Sequence, residues 1–124
     1  MVAPLVLIVE DEENLTKIFS TVLELADFKI EVATDGAAAL ARLQEIVPAV
    51  MVLDLHLPQV SGREVLKAIR ADKRLTETRV IIVTADVALG VELQNEADFV
   101  LFKPVSTVQL REVATKLRTK RTKK

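Results

Sequence analysis

The sequence predicts a single doubly wound α/β domain, in which helices cover both faces of a parallel β-sheet. Four short apolar runs rich in Val, Ile and Leu are typical of strands buried on both faces; they span residues 5–9, 50–53, 80–83 and 99–102. Segments with helical periodicity lie between them, and strands that alternate with helices indicate a parallel sheet. A chain of 124 residues has the length of one domain.

The first helix follows the first apolar run. Glu12 and Glu13 stand in its first turn, where the helix dipole favours acidic side chains. Apolar residues recur on one helical face at intervals of three and four; they are Leu15, Ile18, Phe19, Val22, Leu23 and Ala26. Residues 29–33 then alternate polar and apolar side chains, which predicts an exposed edge strand.

Capping residues mark the starts of three further helices. Asp35 caps the second helix, which we expect to end at Ile46 because Pro48 prevents its continuation; its inward residues are Leu40 and Leu43. Ser61 caps the third helix, whose sheet-facing residues are Val65, Leu66 and Ile69. Ser106 caps the last helix, whose inward face is Leu110, Val113, Ala114 and Leu117.

The fourth helix is the weakest of the predicted elements. Its apolar residues lie between Asp86 and Asn95, and Gly90 interrupts them. Glycine in a helix interior costs roughly 1 kcal/mol relative to alanine. We therefore expect this helix to be short or partly unwound.

Each of the four apolar runs ends in a residue suited to phosphate or metal chemistry. Glu10 and Asp11 follow the first run, Asp54 the second, Thr84 the third and Lys103 the fourth. Ligands of open α/β sheets bind outside the carboxyl ends of the strands, so these side chains should converge. Taken singly, each has an ordinary structural interpretation as a cap or turn residue. Their joint placement favours a reactive site.

The chemistry of these groups points to phosphoryl transfer. A carboxylate such as Asp54 can attack phosphorus and form an acyl phosphate if the surrounding negative charge is neutralised. Three neighbouring carboxylates raise one another's pKa unless a cation is present, and hard oxygen ligands suit Mg²⁺. The hydroxyl of Thr84 and the ammonium of Lys103 can bind phosphoryl oxygens.

With these residues in place, the sequence resembles the receiver domains of two-component response regulators, including the chemotaxis regulators. The resemblance covers residues 4–118 and leaves 119–124 as a basic tail. It implies a flavodoxin-like fold with strand order 2-1-3-4-5. The matching residues are Glu10-Asp11, Asp54 within Leu53-Asp54-Leu55-His56-Leu57-Pro58, Gly62, Thr84-Ala85 and Lys103-Pro104.

The resemblance also implies a role for each acidic residue. Asp54 is the phosphoacceptor. Asp11 and Asp54 ligate Mg²⁺, or Mn²⁺ in its place, the backbone carbonyl of His56 supplies a third contact, and Glu10 acts largely through water. Gly62 is expected to ease the entry into the third helix.

Further implied roles concern the groups that bind the phosphoryl oxygens. Thr84 and Lys103 bind these oxygens, and the backbone N–H of Ala85 is a further donor. A cis peptide bond between Lys103 and Pro104 directs the lysine inward. His56 is the only histidine, so it can form no imidazole cluster; we expect its side chain and that of Asp86 at the mouth of the site, where they tune hydrolysis.

The residue that usually transmits the signal is changed in this chain. Receivers carry an aromatic residue three positions before the lysine, and it follows the threonine inward; here that position is Val100. Phe99 and Phe102 are nearby, but neighbouring strand residues point to opposite faces, so the sequence assigns the role to neither. Thr84 and Lys103 are also closer in sequence than in most receivers. We expect intact phosphorylation chemistry with an atypical response or partner.

Composition narrows the setting of this chemistry. The chain has no Cys, which suits a reducing cytoplasm and rules out a disulfide framework. No apolar stretch approaches the roughly 20 residues of a membrane helix, so we expect no membrane insertion. Seven of the 17 Lys and Arg lie in residues 110–124, but this region has no aromatic residue for stacking. We do not expect nucleic-acid binding through this domain.

The sequence thus predicts a signalling switch, and two other functions are considered as alternatives. As a switch, it would take a phosphoryl group from a histidine kinase or phosphotransfer protein, hydrolyse it slowly and act on no external metabolite. The first alternative, favoured by Val100 and the weak fourth helix, is an interaction module whose output ignores phosphorylation. The second, an aspartyl-phosphate hydrolase, is disfavoured because His56 stands where a second acid would be needed. The downstream protein target is undefined, and a homodimer remains open.

Overall fold

A computed structural model describes residues 3–120 of the chain. Five parallel strands form one sheet in the order β2-β1-β3-β4-β5; they are β1 (Leu5–Val9), β2 (Lys29–Ala33), β3 (Val50–Asp54), β4 (Arg79–Thr84) and β5 (Phe99–Phe102). The helices are α1 (Glu13–Leu25), α2 (Gly36–Leu43), α3 (Gly62–Ala71), α4 (Val87–Leu93) and α5 (Thr107–Lys120). The predicted fold class and strand order are confirmed.

Two hydrophobic clusters lie on opposite faces of the sheet. In β1, Val6 and Ile8 join the cluster with α1 and α5, whereas Leu7 and Val9 join the cluster with α2, α3 and α4. Because successive side chains of a strand point to opposite faces, a strand buried on both sides reads as an unbroken apolar run. The inner strands therefore carry the apolar runs that the sequence shows.

The apolar run 99–102 is only partly buried, so the prediction of burial on both faces is wrong for β5. Phe99 and Phe102 are 41% and 40% exposed, and Leu101 is buried. β5 is an edge strand of the sheet, and the seven-residue α4 beside it covers little of its length. The other edge, β2, is the exposed strand that alternation predicted.

Two helices differ in detail from the sequence prediction. Ile18 is 45% exposed rather than inward-facing, because the buried stripe of α1 is the narrower one centred on Phe19 and Leu23. Helix α2 ends at Leu43 and not at Ile46. There the N–H groups of Gln44 and Glu45 donate to carbonyls only three residues earlier, which closes the helix in a tight turn.

The predicted caps are confirmed at α2, α3 and α5. Asp35 and Ser61 accept backbone N–H bonds in the first turns of α2 and α3, and Ser106 accepts one from Gln109. Helix α5 continues to Lys120. The remaining four residues of the predicted basic tail, 121–124, lie outside the described part of the chain.

Helix α4 is short, as expected, but Gly90 does not break it. The Gly90 N–H donates to the Asp86 carbonyl at 3.0 Å, so helical bonding continues through the glycine. Asp86 caps the helix by accepting from the Leu89 N–H at 3.0 Å. Arg63 on α3 forms an ion pair of 2.6 Å with Glu92 on α4. The helix is thus well formed over its seven residues.

Gly62 allows α3 to begin directly against the end of β3. A Cβ atom at this position would lie 2.2 Å from the Asp54 carbonyl oxygen and 2.6 Å from the Leu55 Cα. The Gly62 N–H donates to the Leu55 carbonyl at 3.0 Å. Only glycine fits between the helix and the strand that carries Asp54.

We expect Gly62→Ala to lower the free energy of unfolding by at least about 1 kcal/mol, because the added methyl overlaps a backbone that cannot yield locally. Urea denaturation followed by circular dichroism measures the change. Ala68→Gly on the exposed side of the same helix is the control for helix propensity alone. If Gly62→Ala were instead more stable than the native protein, propensity would outweigh the steric overlap and the prediction would fail.

Candidate functional site

The acidic residues predicted to converge do so at the carboxyl ends of β1 and β3. Glu10, Asp11 and Asp54 each place a carboxylate oxygen within 4.8 Å of the others. Glu10 and Asp54 are buried, whereas Asp11 is exposed. The Lys103 ammonium lies 3.4 Å from Glu10 Oε1 and 3.5 Å from Asp54 Oδ2. A compact cluster of three carboxylates and one lysine therefore forms at this edge.

Backbone groups orient the two buried carboxylates. The His56 N–H donates to Asp54 Oδ1 at 3.2 Å, and the Glu12 N–H donates to Glu10 Oε2, also at 3.2 Å. The other Glu10 oxygen, Oε1, is buried, has no hydrogen-bond partner among residues 3–120, and faces Lys103. In each of these two carboxylates, a backbone N–H holds one oxygen and the second oxygen points into the cluster.

The surroundings of Glu10 raise its pKa. Burial, and next the negative charge of Asp54, raise the pKa of Glu10 from 4.5 to about 7. The Glu12 N–H and the Lys103 ammonium oppose this rise in the pKa but do not cancel it. The arrangement disfavours the fully ionised cluster, and an added cation would relieve that cost.

Thr84 lies at the end of β4 with its side chain buried. Its Oγ1 accepts a hydrogen bond of 2.9 Å from the Asp86 N–H. Ala85 follows as an exposed residue. The Asp86 carboxylate reaches His56, whose Nε2 is 3.5 Å from Asp86 Oδ2. The side chains of His56 and Asp86 are 62% and 40% exposed, so they meet at the solvent side.

Lys103 is placed by the turn that follows β5. The peptide bond between Lys103 and Pro104 is cis, which confirms the expectation drawn from the family resemblance. The Lys103 N–H donates to the Thr84 carbonyl at 2.9 Å. The lysine backbone is therefore attached to the end of β4, while its side chain turns toward the acidic residues.

Val100 is partly buried and packs into the cluster on the α2, α3 and α4 face of the sheet. On the same face, the ring of Phe102 lies 2.7 Å from the point that a Cβ of Gly90 would occupy, and the Thr84 methyl lies 3.2 Å from it. The sequence patterns did not predict this arrangement of Gly90, Phe102 and Thr84. The signal in the sequence was a glycine inside a predicted helix, followed by a strand that carries an aromatic residue.

The fold and the site together define a doubly wound α/β domain with an acidic cluster and a lysine at the carboxyl edge of its sheet. A family model for the response regulator receiver domain matches residues 6–115. The chain belongs to this family.

Known proteins and structures support the same assignment. The sensory transduction protein RegX3 of Mycobacterium tuberculosis is 41% identical over 110 residues, covering 85% of this chain and 46% of RegX3. The receiver domain of a Francisella response regulator has a TM-score of 0.85 at 30% identity, covering 97% of this chain and 99% of that chain. The chemotaxis response regulator CheY4 of Vibrio cholerae has a TM-score of 0.85 at 27% identity, covering 94% and 99%.

This chain spans less than half the length of the curated relatives it matches. Within residues 3–120, no helix has both the length and the apolar character that crossing a membrane would require.

We expect the free energy of unfolding to fall between about pH 5 and about pH 8 because of Glu10. Its raised pKa gives a stabilising contribution that is complete below pH 4.5 and is lost as the pH rises through about 7. The loss amounts to at most about 3 kcal/mol. Glu31 and Asp72, whose pKa values are lowered by hydrogen bonds from Arg42 and from the Arg74 N–H, stay ionised in this window.

Chemical denaturation at several pH values in metal-free buffer measures this dependence. The matched control is Glu10→Gln, which keeps the shape of the side chain but has no proton to release. The slope should be much smaller in the variant. An equal slope in both proteins would show that another group is responsible.

Proposed function

We propose that this chain is a phosphorylation-dependent signalling switch in which Asp54 accepts a phosphoryl group from a histidine kinase or a phosphotransfer protein in the cytoplasm. The observation that carries the proposal is the buried Asp54 carboxylate, which lies 3.5 Å from the Lys103 ammonium and beside two further acidic residues. Membership of the receiver family supports it.

The residues of the cluster fit a divalent cation. In the part of the chain that the structure describes, the buried Glu10 Oε1 has no hydrogen-bond partner, and one oxygen from each of three carboxylates lies within 4.8 Å of the others. Such oxygen donors suit Mg²⁺, with Mn²⁺ as a substitute. Asp11, Asp54 and the His56 carbonyl would hold the ion, and Glu10 would act through water. When bound, the ion neutralises charge between the carboxylate and the phosphoryl group.

The transfer itself exchanges one bond to phosphorus for another. A carboxylate oxygen of Asp54 bonds to phosphorus while the bond from phosphorus to the donor imidazole nitrogen breaks. Lys103 Nζ, Thr84 Oγ1 and the Ala85 N–H bind the phosphoryl oxygens. Lys103 already lies at the cluster, whereas Thr84 Oγ1 must turn away from the Asp86 N–H. These donors stabilise charge that develops during the transfer.

His56 and Asp86 form the side of the site that faces solvent. Their side chains meet at 3.5 Å from two different loops. A water molecule that hydrolyses the acyl phosphate has to approach past such groups. We therefore assign these two residues to the control of phosphoryl lifetime rather than to the transfer.

A second candidate function is an interaction module whose output does not depend on phosphorylation. Val100 favours this candidate, because it is packed into the core where other receivers carry a mobile aromatic residue. The ion pair of Arg63 with Glu92 also ties the short α4 to α3. Partner affinity measured with and without a phosphoryl analogue separates the two functions.

Incubation with Mg²⁺ and acetyl phosphate should add one phosphoryl group to the native chain, detected as intact mass. Asp54→Asn should abolish the gain because the amide is not a nucleophile, and EDTA should abolish it by removing the cation. A gain that persisted in Asp54→Asn would exclude Asp54 as the acceptor. If neither acetyl phosphate nor a phosphorylated histidine kinase gave a gain, the interaction module would be favoured.

Replacement of His56 by Ala should shorten the half-life of the phosphorylated chain several-fold, because water gains access to the acyl phosphate. The decay of the phosphorylated mass after removal of the donor measures it. Asp86→Ser is the matched change on the other loop, since serine retains the cap of α4 but leaves His56 without its carboxylate. Unchanged half-lives in both variants would refute the assignment.

A further inference from the structure

Three groups meet on the face of the sheet that α4 covers: the Thr84 methyl, the Phe102 ring and the backbone of Gly90. Thr84 and Phe102 are directly paired across β4 and β5, so their side chains point to the same face. A Cβ on Gly90 would lie 2.7 Å from Phe102 Cε1 and 3.2 Å from Thr84 Cγ2. The absence of a side chain at Gly90 is therefore what gives the ring its place beside the threonine.

Thr84 connects this contact to the proposed phosphorylation site. Its Oγ1 is held by the Asp86 N–H, and its methyl is on the Phe102 side. Both groups are bonded to one Cβ, and a β-branched side chain moves between a few discrete χ1 rotamers. The hydroxyl cannot turn toward a phosphoryl group without moving the methyl. Rotation of Thr84 toward a phosphoryl group on Asp54 would therefore either open space beside Phe102 or crowd its ring.

Phe102 has space in which its ring can respond. Phe102 is 40% exposed and borders an open groove of about 330 Å³ between α4 and β5. Val91, Gln94 and Asn95 on the α4 side also line this groove. Val100 borders the same groove, but it packs against the core cluster and has no ring. A displaced Phe102 ring would change the shape of the groove without disturbing the core beneath it.

We propose that Phe102 follows the side chain of Thr84 and, seated on Gly90, carries the phosphorylation state of Asp54 to the groove between α4 and β5. The inference rests on the proposed function. It assigns to Phe102 the coupling that Val100, which has no ring, does not provide. In the phosphorylated state the ring moves into the space that the Thr84 methyl leaves.

Fluorine NMR of the chain labelled with 4-fluorophenylalanine tests this directly, because the four Phe residues give four resonances. Those of Phe99 and Phe102 are assigned from Phe99→Leu and Phe102→Leu. Mg²⁺ and beryllofluoride serve as the phosphoryl analogue, whose bound form has its own fluorine signal. The Phe102 resonance should shift on binding. Phe99 lies on the same strand and borders the same groove, but it pairs with Ile81 rather than with Thr84. It is therefore the internal control and should shift much less.

Affinity measurements and Thr84→Ser complete the test. Because Phe102→Leu removes the ring that would fill the space beside Thr84 in the bound state, it should weaken beryllofluoride binding by at least about fivefold. Phe99→Leu should leave the binding nearly unchanged. Thr84→Ser keeps the hydroxyl and removes the methyl, so the shift of Phe102 should fall to that of Phe99.

The outcomes separate this inference from the proposed function. Bound beryllofluoride with a Phe102 shift no larger than that of Phe99 would overturn the coupling and leave the phosphoryl-accepting role intact. If no beryllofluoride signal appeared and no phosphoryl donor modified Asp54, the proposed function would fail and the coupling with it.

Discussion

The central constraint on this structure is that carboxylates of like charge lie close together at the edge of a buried sheet. Glu10 and Asp54 are almost inaccessible to solvent, yet their carboxylates lie within 4.8 Å of each other and of Asp11. Such a cluster is stable only if rigid strands hold it and a cation offsets it, because each buried carboxylate disfavours the ionisation of the next. Lys103 supplies part of that charge. The raised pKa of Glu10 shows that part of the cost remains.

The three glycines explain how the helices approach this edge closely. Gly36 faces the backbone of Val60, where an added Cβ would lie 2.0 Å from the carbonyl oxygen. Gly62 faces the backbone of Asp54 in the same manner, and Gly90 faces the ring of Phe102. Each glycine begins or lines a helix next to a loop or strand of the site. Close approach by neighbouring atoms, rather than conformational freedom, is the reason for glycine at these positions, since none of the three has a positive φ. The neighbouring atoms are mainly backbone at Gly36 and Gly62 and side chain at Gly90.

Sequence patterns predicted the features that depend on local order and missed those that depend on neighbours in space. Strand ends, helix caps and the acidic cluster follow from short-range periodicity and from the rule that parallel strands share a carboxyl edge. The exposure of β5 does not, because an apolar run on an edge strand resembles one at the centre. The early end of α2 and the exposure of Ile18 likewise depend on packing that no single segment encodes. The role of Gly90 emerged only when β5 was placed beside it.

The unusual features of this receiver have a common structural origin in the short fourth helix. Because α4 ends at Leu93, it leaves one side of β5 open, and Phe102 can lie half exposed over Gly90. A larger residue at position 100 would have to share the space that Val100 occupies in the core beneath α4. Thr84 has its hydroxyl bonded at the β4–α4 turn, and its methyl lies next to Gly90, as the Phe102 ring does. The ring of Phe102, two residues after Val100 on β5, is therefore compatible with the small side chain of Val100. The aromatic residue at position 102 and the aliphatic residue at position 100 are best understood together.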